Sequence, residues 1–451
     1  MKEHHRGSFS GKIGYIMAVA GSAVGLGNIW RFPYLTAKYG GGIFLLVYII
    51  LAITFGYTLV MAETAIGRKT GKSAIAAFGD LSKKHKWMGF INGIIPMLIV
   101  PYYCVIGGWV LKYFSVFIKG GADTAAEDGF FTGYVSQVNA PIIWTIVFIA
   151  AVLVFVAFGV KGIERASKFL MPILALLSVI IAIYSVTRPG AVEGLKYYLI
   201  PNVKNFSVMT VVAALGQMFY SLSIAMGVLF AYGSYMDKKI DMEASVKQIE
   251  IFDMGIAFIA GLMIIPAVFS FSGGDPSILG AGPSLMFVTL PKVFASMPFG
   301  NVIGGIFFIL VFFAALTSAI SLMEASISVF MDQFRLKRRL SCVLMAVITI
   351  AIGIPCSLGF GIWGHIAPLG LGILDFFDFL TNSVLMPIAA LCTCYFVSRI
   401  IGVKTIIDEV KISSAFKREK LFTVVIKYIA PICILAILLS SVLSTFGVLK
   451  F

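Results

Sequence analysis

Stretches of about 20 apolar residues recur from one end of this chain to the other, and that is the length an α-helix needs to cross a bilayer. In hydrocarbon every backbone N–H and C=O must be satisfied inside the protein, so such stretches fold as a bundle of transmembrane helices. Composition supports this: 59% of the 451 residues are hydrophobic and 12% are charged, too few polar groups to cover a soluble core of this size. The chain reads as an all-α integral membrane protein, a single multi-pass domain over residues 1–451 in the cell membrane.

Hydropathy predicts eleven spans, near 12–37, 41–67, 88–119, 140–159, 167–187, 205–236, 245–272, 299–331, 341–358, 372–400 and 421–447. Lysines and arginines concentrate in alternate loops: Arg68, Lys69, Lys72, Lys83, Lys84 and Lys86, then Lys161, Arg165 and Lys168, and later Lys238, Lys239 and Arg335 to Arg339. The positive-inside rule then predicts a cytoplasmic N-terminus and, with eleven spans, an external C-terminus. This spread over loops also speaks against nucleic acid as the partner of the +14 net charge, since no single basic patch with interleaved aromatics forms. The six cysteines lie in or beside apolar segments without metal-ligand spacing and read as packing residues. No small-residue cleavage site follows the polar start, so the first helix is expected to remain in the mature protein.

Two spans are interrupted. Gly21-Ser22-Ala23-Val24-Gly25-Leu26-Gly27-Asn28 lies in the middle of the first, and Ser221-Leu222-Ser223-Ile224-Ala225-Met226-Gly227 in the middle of the sixth. These places correspond if 12–187 and 205–400 are two inverted five-helix repeats, with 421–447 an additional helix. Interrupted spans at matching places point to a midplane binding site. Taken alone, Gly21 and Gly25 fit a close helix–helix contact better, but that leaves Asn28 and the second break unexplained, and the combination favours the binding site. A dinucleotide loop is excluded, because neither a strand nor an acidic partner surrounds the glycines. Few charges lie within spans: Arg31, Glu63, Asp253, Glu324, Asp375 and Asp378. Each costs roughly 2.5–3.5 kcal/mol at the bilayer centre, so each is expected to face a cavity or a partner. Glu63 reads as structural, tying down unwound backbone next to it.

The stretch Gly25-Leu26-Gly27-Asn28-Ile29-Trp30-Arg31-Phe32-Pro33-Tyr34, followed by Gly40-Gly41-Gly42, resembles the first-helix signature of the neurotransmitter:sodium symporter family. The resemblance extends over essentially the whole chain and is strongest to the eleven-helix bacterial amino-acid branch. It implies an inverted-repeat (5+5) fold with broken helices 1 and 6, and sodium-coupled import of a neutral α-amino acid, hydrophobic or small, by alternating access.

On the matching positions, the resemblance implies two sodium ions. One would take the Ala23 carbonyl, Asn28, Ser221, Asp253 and the substrate carboxylate; the other would take the carbonyls of Gly21, Val24 and Ala314 with the hydroxyls of Thr317 and Ser318. Hard cations want oxygen ligands, and unwound helices expose spare carbonyls. Read alone, Thr317 and Ser318 are helix hydroxyls bonding back to the preceding turn. The substrate would lie between helices 1, 3, 6 and 8. Tyr103 and the amides of Leu26 and Gly27 would hold its carboxylate, and the carbonyls of Ala23, Tyr220 and Ser221 with the Ser223 hydroxyl its ammonium. Ile99, Tyr220, Met226 and Leu322 would line the side-chain pocket. Arg31 and Asp378 match an outer gate, Arg6 and Asp332 a cytoplasmic one, and Gly162 with Pro172 a fifth-helix unwinding motif.

Three departures stand out. Tyr220 replaces the usual Phe, Ala225 replaces a glycine of the sixth-helix break, and Asp253 stands where many relatives have Asn. Ala225 is expected to narrow the pocket by a methyl. Gly25 stands where amine-transporting relatives carry Asp, which implies amino acids rather than amines. Tyr48, Gln217 and Ser221 match chloride contacts of some relatives, but Asp253 already supplies a negative charge. At an effective dielectric of about 20, chloride about 4 Å away would meet repulsion of about 4 kcal/mol, so no chloride is expected. A proton-coupled or exchanging transporter of the same fold stays open as the alternative. An enzyme is not expected: the four histidines, His4, His5, His85 and His365, are scattered among loops with no nucleophile–base pair, zinc motif or phosphate loop.

Overall fold

The computed structural model describes residues 7–274 and 283–445, almost all of them helical. The one extended pairing among them is an isolated antiparallel bridge between Gly41 and Pro201. The helices that matter here are α1 (Lys12–Ala23), α2 (Gly27–Lys38), α3 (Gly42–Thr70), α4 (Lys83–Ile118), α5 (Asn139–Val156), α6 (Val160–Val186), α7 (Val208–Ser221), α8 (Val228–Ser234), α9 (Met242–Ser272), α10 (Gly300–Phe334), α11 (Arg338–Leu358), α12 (Ile373–Ile400), α13 (Val403–Lys411) and α14 (Glu419–Leu443). Among the described residues nine helices are long and apolar enough to cross a membrane, and α1 with α2 forms a pair bent by 53° at its break. The two expected spans without a continuous helix are the first and the sixth.

Span limits depart from hydropathy where charges begin a helix. The fifth starts at Val160 rather than 167, because Lys161, Glu164, Arg165 and Lys168 are helical and offset one another: Lys168 Nζ lies 2.5 Å from Glu164 one turn away. The connection after α12 also holds a helix, α13, too short and polar for a span. It buries Val403, Ile406 and Val410 on one face.

Burial separates a central pair from the rim. The most apolar windows of α4 and α10 are 78% buried, those of α5 and α14 33%, so the first pair is the scaffold and the second faces lipid. Small residues make close packing affordable in energy: Ala314, Ala315, Ser318, Ala319 and Ser321 form a buried seam on α10, against which α4 and α1 lie. Between α3 and α8 the approach is closer still. A Cβ on Gly67 would sit 2.2 Å from the Phe230 carbonyl, and one on Gly233 2.4 Å from the Thr64 carbonyl, so both positions require glycine.

Several intramembrane charges have partners. Glu324 is fully buried, accepts from Tyr235 Oη at 2.7 Å and pairs with Arg338, which also binds the Val156 carbonyl. Arg68, expected in a basic loop, is instead 3% exposed at the end of α3. Its Nε donates to Glu409 of α13 at 2.9 Å, and its Nη1 to the Ile240 carbonyl at 3.1 Å and Ser413 Oγ at 3.0 Å. The fork of donors satisfies three segments at once, which a loop lysine would not do. Arg68→Ala leaves Glu409 buried and alone, and is expected to cost about 3–5 kcal/mol. Thermal unfolding in detergent checks this; an unchanged midpoint would mean the pair contributes no net stability.

Candidate substrate and ion site between two broken helices

The break after α1 is made by backbone that leaves the helix. Val24 is extended (φ −77, ψ 93), and its N–H is the last to bond back, to Ala20 O at 2.8 Å. The next amides find side chains: Gly25 N donates to Asn28 Oδ1 at 3.3 Å and Leu26 N to Tyr103 Oη at 3.4 Å. α2 then opens with a wide π-type turn, Gly27–Arg31, of the kind that re-aims side chains at functional sites. The second break, between α7 and α8, puts Ser223 (φ 53), Ala225 (φ 61) and Gly227 (φ 72) in the left-handed region. Glu63 of α3 accepts the Ala225 N–H at 3.0 Å, the structural task expected of it. The breaks also touch: Ser22 Oγ and Ser223 Oγ are 3.0 Å apart.

Between the breaks lies a small cavity. Of the expected substrate residues, Ala23, Gly27, Ile99, Tyr103, Tyr220, Ser223, Met226 and Leu322 line it; Leu26 and Ser221 stand behind the wall. Ser22, Gly25, Asn28 and Ser318 line it too, and no charged side chain does. Ser22 was not singled out among the substrate positions, although a serine inside the first break is the signal for it. Ala225 is fully buried but is not a lining residue, so its methyl does not narrow the cavity. The lining gives the expected narrowing no support.

Beside the cavity, oxygen atoms gather in two places. Asp253 of α9 is fully buried; Asn28 Nδ2 donates to its Oδ1 at 2.7 Å, Ser221 Oγ to the same atom at 2.6 Å, and Tyr48 Oη to Oδ2 at 3.1 Å. Gln217 Nε2 holds the Gly27 carbonyl at 2.9 Å. On the other side, Ser318 Oγ reaches across to the carbonyls of Ser22 at 3.1 Å and Gly21 at 3.4 Å. Thr317 Oγ1 bonds back within α10, to Phe313 O at 3.0 Å and Ala314 O at 3.1 Å, while a Cβ on Gly21 would lie 3.3 Å from Thr317 Cβ. Both groups offer hydroxyl, carbonyl or carboxylate oxygen, the chemistry a hard cation takes.

Tyr220 covers the cavity. Its ring leaves no room for a side chain at Gly27, where a Cβ would sit 2.4 Å away, and Arg31 lies over its other face, 5.3 Å from the centroid. Asp378 accepts from Asn382 Nδ2 at 2.5 Å, and no direct ion pair joins it to Arg31 among the described residues. At the opposite end Asp332 accepts from Ser73 N and Oγ, both at 2.7 Å; Arg6 lies outside the described residues. Phe9 packs among Tyr15, Tyr232 and Tyr235 below the broken helices. Gly162 and Pro172 lie within an uninterrupted α6.

The model of the sodium:neurotransmitter symporter family matches residues 6–121 and 132–449. The chain belongs to that family. It is 34% identical to an uncharacterized sodium-dependent transporter, YhdH, of Bacillus subtilis (strain 168), over 100% of both chains. The crystal structure of MhsT in complex with L-phenylalanine superposes with a TM-score of 0.87 at 38% identity, covering 97% of this chain and 100% of that one. The human sodium- and chloride-dependent GABA transporter 2 is 26% identical over 77% of this chain and 66% of its own length. The protein is thus a sodium-dependent membrane transporter and not an enzyme, with the all-helical fold of its family.

Ala225 carries left-handed strain of about 1–2 kcal/mol, more than the roughly 0.5–1 kcal/mol of chain entropy that glycine brings. Ala225→Gly is therefore expected to hold or raise the thermal midpoint, and Ala225→Val, β-branched at a positive φ, to lower it. A midpoint lowered by glycine would contradict this account of the break.

Proposed function

We propose that the protein is a sodium-coupled symporter that imports a neutral α-amino acid by alternating access of two inverted repeats, 12–187 and 205–400. It would work in the cell membrane, with the N-terminus cytoplasmic, the C-terminus outside, and no chloride. The observation that carries the reading is the cavity itself: it lies between two broken helices, is lined by hydroxyls and unwound backbone together with Ile99, Met226 and Leu322, and has no charged lining. A zwitterion with an apolar side chain suits such walls, since its charges meet oriented dipoles and its side chain meets hydrocarbon. An amine without a carboxylate would need an acid that Gly25 does not supply. The L-phenylalanine held by the solved relative, and the absence of Ala225 from the lining, favour hydrophobic side chains, aromatic ones included, over small ones.

In this reading, Ala23, Asn28, Ser221 and Asp253 bind one sodium ion, and Gly21, Val24, Ala314, Thr317 and Ser318 another. Tyr103, with Leu26 and Gly27, takes the substrate carboxylate. Arg31 with Asp378, and Arg6 with Asp332, act as gates on the two sides. Thr317→Ala combined with Ser318→Ala is expected to abolish sodium-stimulated uptake of L-phenylalanine into proteoliposomes while leaving expression intact. Uptake with wild-type sodium dependence in that double variant would move the second ion elsewhere; uptake in the wild type without sodium would favour the proton-coupled or exchanging alternative.

Chloride independence has its own support. Tyr48 and Ser221, two of the side chains that would face chloride, already donate to the Asp253 carboxylate. Replacing chloride by gluconate is expected to leave wild-type uptake unchanged and to reduce uptake by Asp253→Asn. Strong chloride dependence in the wild type would sink the idea.

A further inference from the structure

A second space lies outside the transport path, on the flank of the bundle at the end where basic loops gather. It is a groove of about 840 Å³ between the start of α4, the end of α10 and the middle of α12. Lys86, Trp87, Phe90 and Ile94 of α4 form one wall, Gln333 of α10 and Leu385 of α12 the other. The α4 residues fall at i, i+1, i+4 and i+8, a single helix face. Trp87 is 55% exposed, Phe90 53% and Ile94 37%, and that face looks into the bilayer.

The groove is graded along the membrane normal. Lys86 and Gln333 mark its polar mouth, Trp87 stands where aromatic side chains sit at a membrane interface, and below it the lining is hydrocarbon. From Lys86 to Ile94 is eight residues, about 12 Å of helix, most of the roughly 15 Å half-thickness of a bilayer core. Lys83 and Lys84 are exposed in the first turn of α4. No carboxylate pairs with Lys83, Lys84 or Lys86 among the described residues, whereas the nearby Asp80 is taken by Lys72 at 2.5 Å. Three uncompensated cations over an acyl-chain-length apolar channel match a ligand with one anionic end and one hydrocarbon end.

We propose that this groove is a binding site for one anionic phospholipid, with its phosphate against Lys86 and its lysine neighbours and an acyl chain along Phe90, Ile94 and Leu385. The lipid would brace α10 against α4 one residue from Asp332, whose carboxylate holds Ser73 at the start of the short helix Ala74–Leu81. The site is independent of what the transporter carries.

The test is native mass spectrometry of the delipidated full-length protein in detergent, titrated with phosphatidylglycerol or phosphatidylcholine. The wild type is expected to retain one phosphatidylglycerol in preference to phosphatidylcholine. Lys86→Gln should weaken that retention about fivefold, the contribution of one basic residue near an anionic headgroup, without altering phosphatidylcholine. Ile94→Trp, which fills the groove and changes no charge, should remove the preference. Equal retention of the two lipids by the wild type would overturn the proposal. So would phosphatidylglycerol binding unaffected by Lys86→Gln, whose exposed side chain keeps the test valid if Ile94→Trp does not fold. Displacement of the lipid by inorganic phosphate alone would reduce the site to a simple anion contact, and a second protein copy in place of lipid would make it a dimer face; either result also overturns it.

Discussion

A helix that stops in the middle of a bilayer leaves backbone N–H and C=O groups where water cannot satisfy them, and every other feature of this site follows from how that problem is solved. The chain solves it twice with side chains, one from the broken span itself and two from helices that do not break. At the first interruption Asn28 and Tyr103 accept the freed amides; at the second Glu63 does. Tyr103 and Glu63 come from α4 and α3, which run unbroken past the interruptions, so the unwound turns hang from a fixed frame. What is left over, chiefly carbonyl oxygen pointing inward, is the raw material for coordinating a cation.

Asp253 shows how tightly such a frame is specified. A carboxylate in this position is tolerable only with donors around it, and Tyr48, Asn28 and Ser221 come from three different spans to provide them. The same three donors tie the second half of the first span, the third helix and the sixth span to α9. One buried carboxylate therefore fixes the register of four helices.

Much of this was legible from residues alone because membranes enforce strong rules. Span length, the interrupted spans and the polar residues within them are all consequences of the cost of burying polar groups, and they appear directly in the pattern of letters. The fifth span was misjudged at its start, since Glu164 and Lys168 offset each other through an i,i+4 contact that hydropathy counts as two charges. Arg68 and α13 were invisible for a related reason: the buried pair with Glu409 joins residues 341 apart in sequence. Ala225 takes a positive φ that the alphabet of residues does not spell out, and it is not among the lining residues. Local cost can be read from sequence; direction in space comes only with the fold.

The contact between Ser22 and Ser223 has a mechanical meaning. Ser223 also donates to the Ser22 carbonyl at 3.2 Å, so the two discontinuities are fastened to each other and not merely adjacent. Each half-helix has a free end at the same point, as two levers share a pin. Separating the two interruptions would require breaking both of these hydrogen bonds. Two hydroxyl groups thus join the ends of two half-helices, with no contact needed between the arms themselves.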